Sequence, residues 1–253
     1  MALLSLQSVN KNFGGLAAVK DLTLSVEAGA IVSLIGPNGA GKSTVFNLIT
    51  GIYTPTSGTI VFEGRTLNGL RPDLVTATGI ARTFQNIRLF SFMSVLENIM
   101  VGRNSRMHAT MADSALHTPR ATREDLQVEL AARELLDFFG LTPFASEWAR
   151  NLPYGMQRRV EIARALASEP RLLLLDEPAA GTNPAEKQAL MRLVQSIRDR
   201  GVTILLIEHD MRLVMGISEY VHVLDYGEEI ARGAPDQVRR DPRVIEAYLG
   251  KGA

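Results

Sequence analysis

Residues Gly36-Pro37-Asn38-Gly39-Ala40-Gly41-Lys42-Ser43 set a glycine at each end of a six-residue frame and follow it with Lys-Ser. Glycine lets successive backbone N–H groups turn inward around an anion without a Cβ clash. A short apolar run, Ile31 to Ile35, leads into the frame. Behind it, Val45, Phe46 and Ile49 fall at helical spacing. A helix starting there adds partial positive charge at its N-terminus. This arrangement suits a polyphosphate. Lys42 reaches the β- and γ-phosphates, and the Ser43 hydroxyl ligates Mg²⁺. Pro37, Asn38, Gly39, Ala40 and Thr44 belong to the same cradle.

A second constellation lies downstream. Leu172-Leu173-Leu174-Leu175 is an apolar strand that ends in Asp176-Glu177. Open α/β sheets place their ligands at the C-terminal ends of their strands. Asp176 at the tip suits a water-mediated contact with Mg²⁺. Glu177, one residue on, points elsewhere and suits a general base for an attacking water. Ile204 to Ile207 leads into Glu208-His209-Asp210, and His209 at a third strand tip is in reach of a γ-phosphate or the same water. Taken alone, His209 reads as a satisfied structural histidine. Gln85 carries an amide oxygen that can ligate Mg²⁺. Phe13 suits either stacking on an adenine ring or a core position.

The elements that would hold these residues follow from the pattern. Leu3 to Val9 and Leu22 to Val26 alternate apolar and polar, as half-buried strands do. Thr59 to Phe62 reads as a strand before a Glu63-Gly64 turn. Asn104 to Thr122 is polar and poorly periodic and reads as a surface loop. Glu124 to Phe139 reads as a helix with Leu130, Leu135, Phe138 and Phe139 on one face. Met156 to Ala167 reads as a second helix. Val221 to Leu224 and Glu228 to Ala231, joined at Tyr226-Gly227, read as a closing hairpin. The fold class is α/β: a P-loop NTPase core of mixed sheet with an antiparallel β subdomain, plus a small α-helical subdomain. The core covers about 1–87 and 168–253, and the helical part about 88–167.

Bulk properties bound the partners. The 253 residues carry 27 Lys and Arg against 27 Asp and Glu, so the net charge is zero and no strongly basic nucleic-acid surface is expected. There is no cysteine, which excludes disulfides and cysteine-held metal. No apolar run approaches the ~20 residues of a membrane helix. A soluble, cytoplasmic chain is the expectation.

Together these residues resemble the ABC transporter ATPases. The order is Phe13, the frame Gly36 to Ser43, Gln85, a signature at Leu152 to Gln157, the acidic strand ending in Glu177, then His209. The resemblance covers nearly the whole chain. It implies that Phe13 stacks on adenine, that Gln85 couples Mg²⁺ to a membrane subunit and that Glu177 is the base. It also implies a head-to-tail pair of cassettes, same chain or shorter relative, each signature (here Pro153, Tyr154, Gly155 and Met156) closing over the other's ATP. Finer wording, Arg82-Thr83-Phe84-Gln85-Asn86-Ile87-Arg88-Leu89-Phe90, Asp176-Glu177-Pro178-Ala179-Ala180-Gly181 and Ala247-Tyr248-Leu249-Gly250, resembles the longer ATPase of branched-chain amino-acid importers. That implies permease subunits, an indirect solute-binding protein and the cytoplasmic face of the cell membrane. Urea-importer and lipopolysaccharide-exporter ATPases share much of the wording.

Two positions depart from the family pattern. Pro153 stands where a serine usually donates to the γ-phosphate, and it has neither hydroxyl nor N–H. A weaker closed dimer is expected. Asn183 stands where an aspartate is usual, keeping hydrogen-bonding reach without charge. The apolar stretch Ile87, Leu89, Phe90, Phe92 and Met93 suits either a groove for a membrane subunit or the core of the helical part.

Overall fold

The structure, a computed structural model, describes residues 2–107, 113 and 118–249. The chain divides into two compact units, Met1–Arg82 with Arg171–Ala253, and Thr83–Pro170.

The first unit opens with strands β1 (Ala2–Phe13), β2 (Leu16–Glu27) and β3 (Ile31–Ile35), then helix α1 (Lys42–Ile49). Strands β4 (Ser57–Phe62) and β5 (Arg65–Thr66), helix α2 (Pro72–Thr78) and strand β6 (Ile80–Arg82) complete its N-terminal part. The second unit carries helices α3 (Val95–Gly102), α4 (Pro119–Phe138) and α5 (Tyr154–Leu166). The chain then returns through β7 (Leu172–Asp176), α6 (Pro184–Asp199), β8 (Thr203–Ile207), α7 (Met211–Ile217), β9 (Tyr220–Asp225), β10 (Glu228–Gly233), α8 (Pro235–Arg240) and α9 (Pro242–Leu249).

Two sheets build the first unit. One is antiparallel, in the order β2-β1-β4-β5. The alternation in β1 and β2 buries Leu4, Leu6, Val9, Leu22, Leu24 and Val26 on one face. Between Leu6 and Val9 the register with β2 shifts, and Ser8 there takes a φ of 46°. The other sheet runs β10-β9-β3-β8-β7-β6. Strands β9, β3, β8, β7 and β6 are parallel, and β10 closes antiparallel on β9. Every residue of β3, β7 and β8 is buried. That is why these strands read as unbroken apolar runs: both faces are covered. Their parallel pairing also aligns their C-terminal ends, so Ile35, Asp176 and Ile207 finish along one sheet edge.

In the second unit α3 packs against α4 and α5. Gly102 permits the close approach of α3 to α5: a Cβ there would lie 2.0 Å from the Arg164 carbonyl oxygen. Two expectations are corrected. Residues 104–122 are not one loop, because Arg103–Arg106 forms a 3₁₀ turn and α4 starts at Pro119. Thr118 caps α4 by accepting from the Ala121 amide, and Pro119 at the first position fixes a helical φ. The rest of that expected loop, at 108–112 and 114–117, lies outside the described residues. Leu130 does not face the core; α4 buries Ala121, Val128, Ala132, Leu135 and Leu136 instead.

The glycine frame is held between backbones of its own unit. A Cβ at Gly36 (φ 148°) would lie 2.0 Å from the Leu224 carbonyl oxygen, and one at Gly41 (φ 101°) 2.5 Å from that of Ala18. At Gly39 (φ 82°) a Cβ would meet nothing within 4 Å. Gly36→Ala should therefore lose on the order of 3 kcal/mol, combining the forbidden φ with a backbone clash. Gly39→Ala should lose only about 1–2 kcal/mol, from φ alone. Urea unfolding of the two variants measures the difference.

Candidate functional site

Gly36 to Gly41 wraps the N-terminus of α1. Gly41 takes the left-handed conformation at the N-cap, and the Val45 amide then closes the first turn on the Gly41 carbonyl at 3.0 Å. The β9–β10 turn supports the frame from behind, its Gly227 amide donating to the Ala40 carbonyl at 3.0 Å. Helix α9 also comes alongside: Pro37, Asn38, Gly39 and Ala40 share a cavity of about 440 Å³ with Arg243, Glu246 and Ala247. No periodicity in the sequence had given that C-terminal stretch a place.

Lys42 is buried, and its ammonium donates to the carbonyls of Gly36 (2.7 Å) and Pro37 (2.8 Å). Burial pulls its pKa below the ordinary lysine value, while Glu177 and Asp176 push it up. The cation thus stands beside both acids with only neutral carbonyls bonded to it, a geometry made for incoming anionic oxygens. Ser43 is exposed and its hydroxyl bonds to no described residue. Thr44 is half-buried on the next position of α1.

Asp176 ends β7 buried. Its Oδ2 accepts from Arg82 Nη2 at 2.8 Å, and both side chains are under a tenth exposed. Arg82 also donates to Asn47 Oδ1 at 2.6 Å and lies over the Phe46 ring. Sequence reasoning quoted Arg82 but gave it no role; only the parallel pairing of β6 with β7 brings it to Asp176. Glu177 then leaves the strand at a φ of 46°, with its amide donating to Ile207 O at 2.9 Å. A left-handed non-glycine residue costs about 1–2 kcal/mol and persists only where neighbours hold it. The turn sends consecutive carboxylates in different directions. His209 Nδ1 lies 3.6 Å from Glu177 Oε2, and its side chain is 59% exposed. A carboxylate and an imidazole thus stand together, the imidazole open to water.

Phe13 is no core residue: it is 41% exposed, in edge contact with Tyr53, under the Lys11 ammonium. Asn183 caps α6. Its side chain accepts from the Glu186 amide at 3.0 Å, while Glu186 accepts from the Asn183 amide at 2.8 Å.

The remaining candidates lie in the second unit and are described within it. Pro153 is the N-cap of α5 and offers no side-chain cap. Its carbonyl accepts from Met156 (2.9 Å) and Gln157 (3.0 Å), whereas the Tyr154 and Gly155 amides find no partner among the described residues. Such orphan donors at a helix start attract anions. Gln85 is exposed, but its backbone is fixed. Arg158, fully buried, donates to the Phe84 carbonyl (2.6 Å), the Gln85 carbonyl (2.7 Å), Glu161 Oε2 (2.7 Å) and the Tyr154 hydroxyl (3.1 Å). Glu161 Oε1 accepts from the Arg88 amide at 3.2 Å. The glutamine segment and the start of α5 are therefore one hydrogen-bonded piece. Sequence reading missed this because Arg158 sits in a basic run that looks like solvated helix surface. The apolar stretch is not core either: Phe92 is 73% exposed, Phe90 about half, and Ile87, Leu89 and Met93 are half-buried.

A glycine frame leading into a helix, a buried lysine and an acidic strand tip define a P-loop nucleotide-binding protein. A family profile described as "ABC transporter" matches residues 19–180, and one described as "Branched-chain amino acid ATP-binding cassette transporter" matches residues 228–253. The chain is 46% identical to the "High-affinity branched-chain amino acid transport ATP-binding protein LivG" of Escherichia coli (strain K12) over 250 residues, 98% of each chain. It superimposes with a TM-score of 0.86, at 32% identity and over 99% of its length, on all of a crystallised ATP-binding cassette of an ABC transporter in its ADP conformation. A dimeric, post-hydrolysis cassette bound to ADP and Pi aligns with a TM-score of 0.77 at 27% identity, over 92% of this chain and 98% of that one. The chain belongs to the ABC transporter family, as one of its ATP-binding cassettes.

Breaking a buried ion pair by removing one partner typically costs 3–5 kcal/mol. Arg158→Met should lose about that much stability in urea. Arg158→Met with Glu161→Leu should recover part of it, because no charge is then left stranded. Equal losses in the two variants would contradict this account of the pair.

Proposed function

We propose that the chain is the ATP-hydrolysing subunit of an importer for branched-chain amino acids. The observation that carries the reading is the Lys42 ammonium, buried in the glycine frame and bonded only to neutral carbonyls beside Asp176 and Glu177. Full-length similarity to LivG and the C-terminal match at 228–253 support the solute class.

Residues 36–44 bind the phosphates through backbone N–H groups, with Lys42 on the terminal ones. Phe13 stacks on the adenine. Mg²⁺, when bound with the nucleotide, neutralises charge on the phosphate oxygens. The donor set fits it: Ser43 offers a hydroxyl and Asp176 a carboxylate. Mg²⁺ is commonly held by one or two carboxylates together with substrate phosphates, and a single carboxylate beside the glycine frame suits that. Glu177 takes the proton of the attacking water, and His209 orients the same water or the γ-phosphate.

Gln85 is read as the metal sensor, and residues 153–156 as the surface that meets a second cassette's ATP. With Pro153 in place, that contact relies on the backbone amides of Tyr154 and Gly155. The exposed apolar stretch 87–93 receives a membrane subunit. No described helix is long and apolar enough to cross a membrane; the partners in this reading are permease subunits, with the cassette at the cytoplasmic face of the membrane. The two units act as one nucleotide-binding domain.

ATP turnover of the purified chain and of Glu177→Gln tests the reading. Turnover should fall by on the order of 100-fold or more in the variant. The variant should also dimerise on ATP in size-exclusion chromatography. Unchanged turnover would remove Glu177 as the base.

A further inference from the structure

Between β8 and His209 stands Glu208, which is completely buried, at 0% exposure. A carboxylate out of reach of water must be met by donors. Its Oε1 accepts from the Ala179 amide at 2.9 Å. Its Oε2 accepts from the amides of His209 (3.0 Å) and Asp210 (3.3 Å). No lysine or arginine pairs with it among the described residues. Ala179 lies two residues beyond Glu177, so a single side chain spans the loop that carries the base and the strand tip that carries the histidine. Two other contacts join the same pieces. The Glu177 amide donates to Ile207 O, and Lys187 of α6 pairs with Asp210 at 2.6 Å.

Only a carboxylate suits this place. It accepts through both oxygens, whereas a glutamine would turn an NH₂ donor toward one set of amide donors. The left-handed φ at Glu177 needs neighbours that over-determine the turn.

We propose that Glu208 is a positioning residue for hydrolysis: by bonding Ala179 on one side and His209 and Asp210 on the other, it fixes Glu177 and His209 relative to each other. Its oxygens are taken up by backbone amides, so it acts through Glu177 and His209. The inference rests on Glu177 being the base.

The test compares the full-length chain with Glu208→Gln and Glu208→Asp, by steady-state MgATP hydrolysis and by ATP affinity, well below each protein's melting midpoint. A misplacement of about 1 Å can cost on the order of 100-fold in rate. Turnover in Glu208→Gln should fall roughly 10- to 100-fold. ATP affinity should stay within about 3-fold, because Glu208 makes no hydrogen bond to Lys42 or the glycine frame among the described residues. Glu208→Asp keeps the charge but withdraws it by one methylene. It should show the same split, and it carries the test if Glu208→Gln does not fold. Turnover within about 2-fold of the original in the folded variants would overturn the proposal, as would rate and affinity falling together. If Glu177→Gln also kept its turnover, the base assignment would fall and this inference with it. Loss in Glu177→Gln beside full activity in Glu208→Gln would overturn the inference alone.

Discussion

The first unit depends on one constraint: strands buried on both faces lead into charged side chains that are themselves buried. Strands β3, β7 and β8 are fully buried, yet Asp176 ends β7, Glu208 follows β8, and the frame after β3 leads to Lys42, all three of them buried. A buried charge has to be paired or richly hydrogen-bonded. The chain meets this in three ways. Asp176 is matched by Arg82 from the neighbouring strand. Glu208 is met by three backbone amides, with His209 Nδ1 3.8 Å from its Oε2. Lys42 is left with two carbonyls and nearby acids. The first two are closed arrangements that hold shape. The third is open to further negative charge, which is what a phosphate would bring.

The second unit solves a related problem with one residue. Arg158 is as buried as any leucine of the core, and its guanidinium satisfies two carbonyls and a carboxylate together. The planar fork of arginine suits this as a lysine would not. The consequence is mechanical. The backbone of Gln85 and the first turn of α5 are tied to one side chain.

Much of this was legible beforehand, for identifiable reasons. The glycine frame and the acidic strand declare themselves by local spacing, and the all-apolar runs at 172–175 and 204–207 announce strands covered on both faces. Pairings between distant residues were not legible. Arg82 and Asp176 meet only because β6 lies beside β7, and Glu208 meets Ala179 only through the turn at Glu177. Arg158 and Glu161 carry charges at helical spacing, which periodicity assigns to solvent. Helix α4 also misled. Its buried face mixes Val128, Leu135 and Leu136 with small residues, Ala121 and Ala132, that carry little hydrophobic signal, while Leu126 and Leu130 stand exposed. Phe13 shows the limit in the other direction, since a lone aromatic gives no clue to its exposure until the β1–β2 hairpin is built.

The central claim is that residues 36–44 close around the phosphates of ATP, beside the acids at the end of β7. Amide hydrogen exchange of the full-length chain, with and without MgATP, tests it most directly. The account predicts slowed exchange across 38–44 and in the turn at 176–180, because those amides acquire partners or lose access to water. Unchanged exchange across 36–44 at saturating MgATP would contradict it.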